Sequence, residues 1–198
     1  MSIDSILRSA ASGVWNGSEA EYKEMQLLGM IDTGGVIQPS PAVSTAENLE
    51  IVPRRPIEAH DVLNEAYAYA RPSSFSRGLC VDLGTVTLLL ISGTASIDEE
   101  GHTVHVGDFR AQCWRTYRNI TRLLESEGAA WRDVVRCSCY LRDIERDYKD
   151  FNEVRTAFFT WLGLDPLPAS TGIQARLCRE ELLVEIEAMA VIPAGRRR

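Results

Sequence analysis

Residues 182–192, "LLVEIEAMAVI", alternate with a period of two. On an extended strand Leu182, Val184, Ile186 and Ala188 point to one side, and Leu183, Glu185, Glu187 and Met189 to the other. The first set is wholly apolar and needs helices over it. The second mixes Leu and Met with two carboxylates, a mixture that suits neither a dry core nor open water. Partial burial against another subunit is expected. This pattern constrains the chain to a sheet with one helix-covered face and one face available for self-association.

The rest of the sequence supplies two helices. Asp108 is a good N-cap, and Phe109, Cys113, Tyr117, Ile120 and Leu124 follow on one stripe until Gly128, a left-handed stop. From about Arg146 a second helix carries Phe151, Val154, Phe158 and Leu162 and ends at Gly163. "LCVDLGTVTLLLISG" reads as a hairpin turning at Gly84, and "DVVRCSCYLRDI" as a third strand. Two last strands fall at roughly 170–177 and 182–192. The order is β-β-α-β-α-β-β, an α+β domain whose two helices can cover one face only. We assign it residues 63–195. Residues 1–62 read as a loop-rich extension, with one or two short helices within 5–30 and one short strand at most, and 196–198 as a frayed basic tail.

The chain of 198 residues has a net charge of −7, which argues against a nucleic-acid partner because phosphate binding needs a cationic surface. No apolar run is long enough to span a membrane, and no signal-peptide pattern opens the chain, so a cytoplasmic protein is expected. Five cysteines are odd in number and too sparse for a disulfide scaffold. Cys137 and Cys139 share a strand face without a second pair, and His102 with His105 make half a site in a turn. No metal and no cofactor are expected.

The segments "VDLG", "ISGTASI", "GDFRAQCWRTYRNITRLLESEGAAWRDVVRCSCYLRDI", "DFNEVRTAFF", "PAS" and "VEIEAMAV" occur in this order over roughly 75–195. Together they resemble the Rid/YjgF family of small enamine and imine hydrolases. The resemblance implies a chorismate-mutase-like fold, a homotrimer and a small-molecule substrate held in each intersubunit cleft. Imine-hydrolysing members carry Arg where this chain has Ser170, and that Arg holds the substrate carboxylate bidentately. The neutral Ser170 implies weak activity on simple imines. The family's aromatic loop residue corresponds to Phe75, and its last-strand glutamate is matched to Glu187, the expected catalytic acid.

"SGTASI", "GHTVHVGD", "AQ" and "STGI" also resemble the catalytic half of chorismatases, in which arginines hold two carboxylates. Arg77, before the hairpin, and Arg176, on the strand after Ser170, are the candidates here. Ser170 and Thr171 are expected to line the pocket with hydroxyls, and Gly172 to let substrate approach the backbone. The expected function is acid–base catalysis on a small carboxylated enamine, imine or enol ether. A chorismatase-like activity and a non-catalytic metabolite-binding trimer are the alternatives.

Overall fold

The computed structural model describes residues 23–24, 26–30, 32–34, 52–70 and 72–196. The chain divides into two compact units, Met1–Ile51 and Val52–Arg198. Of the first, a helical turn is described in which the Leu28 amide donates to the Glu24 carbonyl. The remainder of the short helices expected within 5–30 lies outside the described residues.

The second unit is an α+β domain. A sheet of six strands has the order β1-β2-β3-β6-β4-β5, with β1 Arg54–Pro56, β2 Gly78–Asp82, β3 Val86–Ala95, β4 Val134–Leu141, β5 Ala169–Gln174 and β6 Val184–Pro193. The helices are α1 Phe109–Ser126 and α2 Ile144–Trp161. All pairings are antiparallel except β4 with β5. The hairpin between β2 and β3 turns at Gly84, whose φ of 85° is a conformation that glycine adopts without strain.

Each helix begins where its cap dictates. The Asp108 carboxylate accepts from the Ala111 amide, and that of Asp143 from the Arg146 amide. The second cap starts α2 two residues before Arg146, the start that spacing alone indicates. Gly128 and Gly163, both with positive φ, close the helices.

The apolar stripes meet the sheet as the alternation of β6 requires. Val184, Ile186, Ala188 and Ala190 are buried in one core with Leu89, Ile91, Cys137, Cys139, Ile120, Leu124, Phe151 and Val154. Tyr117 stacks on Phe158 with ring centroids 4.6 Å apart and meets Trp131 edge-on at 5.5 Å, joining α1 to α2. On the opposite face Leu79 faces Leu90, Val81 faces Leu88, and Leu88 and Leu90 face Val191 and Met189. Those side chains are only half-buried or exposed.

Two expectations about the domain's ends need correction. The folded sheet reaches upstream of residue 63, because β1 pairs with β2 and Ile57, Ala59 and Val62 are buried core. Arg55 also makes a two-point contact with the nearly buried Glu127. At the other end Arg196 is docked rather than frayed, its guanidinium 2.6 Å from the Asp133 carboxylate. Residues 197–198 lie outside the described residues.

Two fully buried amides on α1 tie the helix to the ends of the strands. Asn119 Nδ2 donates to the Ala95 and Ile97 carbonyls, both at 3.0 Å. Gln112 Nε2 donates to the Glu181 carbonyl at 2.8 Å, and its Oε1 accepts from the Leu183 amide at 2.8 Å. Asn119→Ala leaves two interior carbonyls without this donor, so a stability loss of about 1–3 kcal/mol is expected. A urea titration should show a lower midpoint at unchanged slope. An unchanged midpoint would mean that these bonds contribute nothing net.

Candidate active site

A cavity of about 300 Å³ opens where β3 ends and β6 begins, between the loop carrying Tyr69 and Phe75 and the connection from β5 to β6. Its volume suits a small metabolite. Arg77, Glu185, Phe75, Tyr69, Cys178 and Arg179 are the chemically distinctive residues lining it.

Arg77 is held as a rigid cation. It is 5% exposed; its backbone amide donates to the Glu65 carboxylate at 3.2 Å, and its Nε to the Asn64 carbonyl at 3.0 Å. Its guanidinium lies 5.1 Å from the Tyr69 ring centre and 5.2 Å from that of Phe75. No ion pair ties it to a carboxylate among the described residues, so its remaining N–H groups keep their capacity for an anion.

Glu185 is the acidic wall. Burial pushes its carboxyl above the usual range, the Glu187 charge pushes the same way, and Arg77 pulls back. The half-buried side chain fits because β3 is irregular between Ile91 and Thr94 and residue 93 is glycine. A Cβ at Gly93 would stand 2.1 Å from Glu185 Oε1. The "SGT" segment is thus a seat for a carboxylate. The amides described above hold that seat from behind: Asn119 fixes Ala95 and Ile97, which line the cavity, and Gln112 fixes Leu183, two residues before Glu185.

The sequence-derived candidates divide accordingly. Phe75 and Arg77 come together with Glu185 in the cavity. Glu187 does not: it is exposed, accepts a 2.9 Å hydrogen bond from the Tyr140 hydroxyl, and is absent from the cavity lining. Ser170, Thr171 and Gly172 lie on β5, separated from β6 by β4, so one protomer does not bring them to Glu185. The Thr171 hydroxyl accepts from Arg136 at 3.1 Å. Arg176 is exposed beyond the end of β5, since the strand stops at Gln174, and shares no strand face with Ser170.

Glu185 and Gly93 are the residues that sequence reasoning passed over. The signal was present in part, because Glu185 shares the mixed face of β6 and "SGT" interrupts an apolar strand. The cysteines on the core side are inert by burial: the thiols of Cys113 and Cys137 are pushed up to about 12, and that of Cys139 is also raised. Cys178 at the cavity is exposed. Asp98, Glu100 and His102 gather ligand atoms within 4.8 Å of one another in a loop outside this cavity, where Asp98 already pairs with His102.

The sequence pattern of the family described as Endoribonuclease L-PSP matches residues 69–192, a span that begins at Tyr69 and includes Glu185. This chain belongs to that family. The Endoribonuclease L-PSP family pattern agrees with the Rid/YjgF resemblance read from the motifs, and individual proteins extend it. A RutC family protein of Pyrococcus abyssi is 31% identical over 102 residues, 52% of this chain and 76% of its own length. The 3-aminoacrylate deaminase RutC of Acinetobacter baylyi is 31% identical over 103 residues, 52% of this chain and 78% of its own. Among solved structures, the YjgF gene product of E. coli superposes with a TM-score of 0.56 at 24% identity, covering 69% of this chain and 98% of that one. The last likeness confirms the fold: two helices on one face of a mixed sheet. Among the described residues no helix is long and apolar enough to cross a membrane.

Proposed function

We propose that the cavity is an acid–base site for water addition to a small carboxylated enamine or imine, with release of ammonia. The observation that carries this reading is the pairing in one small cavity of Glu185, whose carboxyl is raised by burial, with the Arg77 guanidinium, which makes no ion pair among the described residues. The relative named for 3-aminoacrylate deamination supports this class of substrate.

The roles follow from charge and proton capacity. The Arg77 fork takes the substrate carboxylate. Protonated Glu185 delivers its proton to the nucleophilic carbon of the enamine, forming a C–H bond and leaving an iminium. The resulting Glu185 carboxylate takes a proton from water as its oxygen bonds to the iminium carbon. Glu185 then passes that proton to nitrogen and takes back the hydroxyl proton as the C–N bond breaks and the C=O bond forms, giving ammonia and a carbonyl acid with Glu185 protonated again. Every atom comes from substrate and water, so the reading calls for no cofactor.

The half-buried to exposed sheet face with Leu88, Leu90, Met189 and Val191 supports self-association, and we take the working unit to be a homotrimer in the cytoplasm. Light scattering should give about three times the 22.1 kDa of one chain. A clean monomer would refute the trimer. Ammonia release from 3-aminoacrylate in a coupled assay tests the reaction, and a rate no faster than buffer alone would sink it. Arg179 on the same cavity favours a cyclic dicarboxylate, as in a chorismatase-like reaction, as the second reading, because two cations suit two carboxylates. An RNA substrate is disfavoured by the net charge of −7.

A further inference from the structure

Cys178 is the exposed thiol of the domain, whereas Cys80, Cys113, Cys137 and Cys139 are buried. It lies on the connection from β5 to β6, and the fold fixes where it stands. Arg142 Nε donates to the Leu182 carbonyl at 2.6 Å, and its Nη2 donates to the carbonyls of Leu177 and Arg179. Arg179 Nη1 donates in turn to the Gly101 carbonyl. The backbone is thus tied on both sides of the thiol.

The cavity that Cys178 lines also holds polar groups with unused capacity. Arg77 is 5% exposed, and its two Nη groups have no hydrogen-bond partner among the described residues. The Tyr69 hydroxyl on the same wall is buried and likewise without a partner. Arg179 and Glu185 complete the charged lining, while Glu180 and Glu181 line the adjoining recess that Cys178 and Arg179 also border. A buried guanidinium with an open fork calls for an anion, and a carboxylate fits that fork best. We propose that Cys178 is a covalent capture site for small α,β-unsaturated carboxylic acids and kindred carboxylated electrophiles, held by Arg77 while the sulfur attacks. In the addition the sulfur bonds to the β carbon and the thiol's proton goes to solvent. The electron pair of the double bond takes a solvent proton at the α carbon, so no other reactant is consumed. The adduct occupies the cavity and shuts out other ligands, whether or not the enamine reaction above takes place.

The test sets iodoacetate against iodoacetamide, one alkylating carbon with and without a negative charge, on the full-length protein at a single pH. Both reagents meet the same thiolate, so the ratio of their rates at Cys178, read by mass spectrometry of its peptide, reports the charge around it. The reference is the same ratio in concentrated urea, where Arg179, Glu180 and Glu181 stay neighbours in sequence but Arg77 is no longer brought close. Folding should shift the ratio towards iodoacetate by about ten- to a hundredfold, the weight of a charge-assisted contact. Arg77→Lys, which keeps a cation but not the fork, should lose most of that shift, and Arg179→Ala should keep it. Maleate, an unsaturated diacid, should add to Cys178 about tenfold or more faster in the folded protein than in urea, and it carries the test if the Arg77 variant does not fold. A ratio unchanged by folding, a shift that Arg77→Lys leaves whole or Arg179→Ala abolishes, or maleate addition no faster in the folded protein would each overturn the capture site.

Discussion

Glu185→Gln should lower turnover on an accepted enamine by about two to four orders of magnitude, the usual range for loss of a general acid. The amide keeps the size of the side chain and its place on Gly93 but has no proton to exchange. Glu187→Gln should cost little, because Glu187 is exposed and bonded to Tyr140 outside the cavity. Steady-state ammonia release by the two variants decides between the carboxylates, and equal losses would refute the assignment.

The same substitution has a pH signature in stability. Burial raises the Glu185 carboxyl above its unfolded value. Its stabilising contribution is therefore complete below the unfolded pKa and is lost as pH rises through the folded one, where the buried group must ionise. The melting temperature of Glu185→Gln, relative to wild type, should climb with pH across that window. A difference that stays flat would show that the carboxyl is not desolvated.

Gly93→Ala should be the second most damaging change to activity, and it should leave the fold nearly untouched. The new methyl meets the far end of the Glu185 side chain at 2.1 Å, so the carboxylate swings aside and the backbone need not move. Without the positioned acid, turnover should fall by about one to two orders of magnitude, within the range general acid–base catalysis supplies. A melting temperature within about 2–4 °C of wild type, corresponding to a ΔΔG of roughly 1 kcal/mol, would separate this effect from unfolding. Full activity in Gly93→Ala would mean that the seat is not where the acid works.

The helices and central strands were legible because each repeats its signal. Asp108 and Gly128 bracket α1, its stripe is buried where the spacing places it, and the alternation of β6 matches its burial residue for residue. β1 was not, since Arg-Arg-Pro carries no period and becomes a strand only by pairing with β2. The site was half legible. Phe75 and Arg77 could be placed by motif, whereas the choice between Glu185 and Glu187 depends on the irregularity at Gly93, a tertiary fact.

Gln112, in the first turn of α1, and Asn119, at its middle, fasten the cavity to that helix. Mutational drift is therefore partitioned across the site. The acid and its seat belong to the core and inherit the core's intolerance of change, so selection for stability alone preserves the chemistry. The Tyr69–Phe75 loop and the β5 edge receive neither amide. Descendants of this protein can exchange substrates by altering those two segments while the proton-transfer apparatus stays in place, so directed evolution for a new substrate should accumulate its changes there and spare α1.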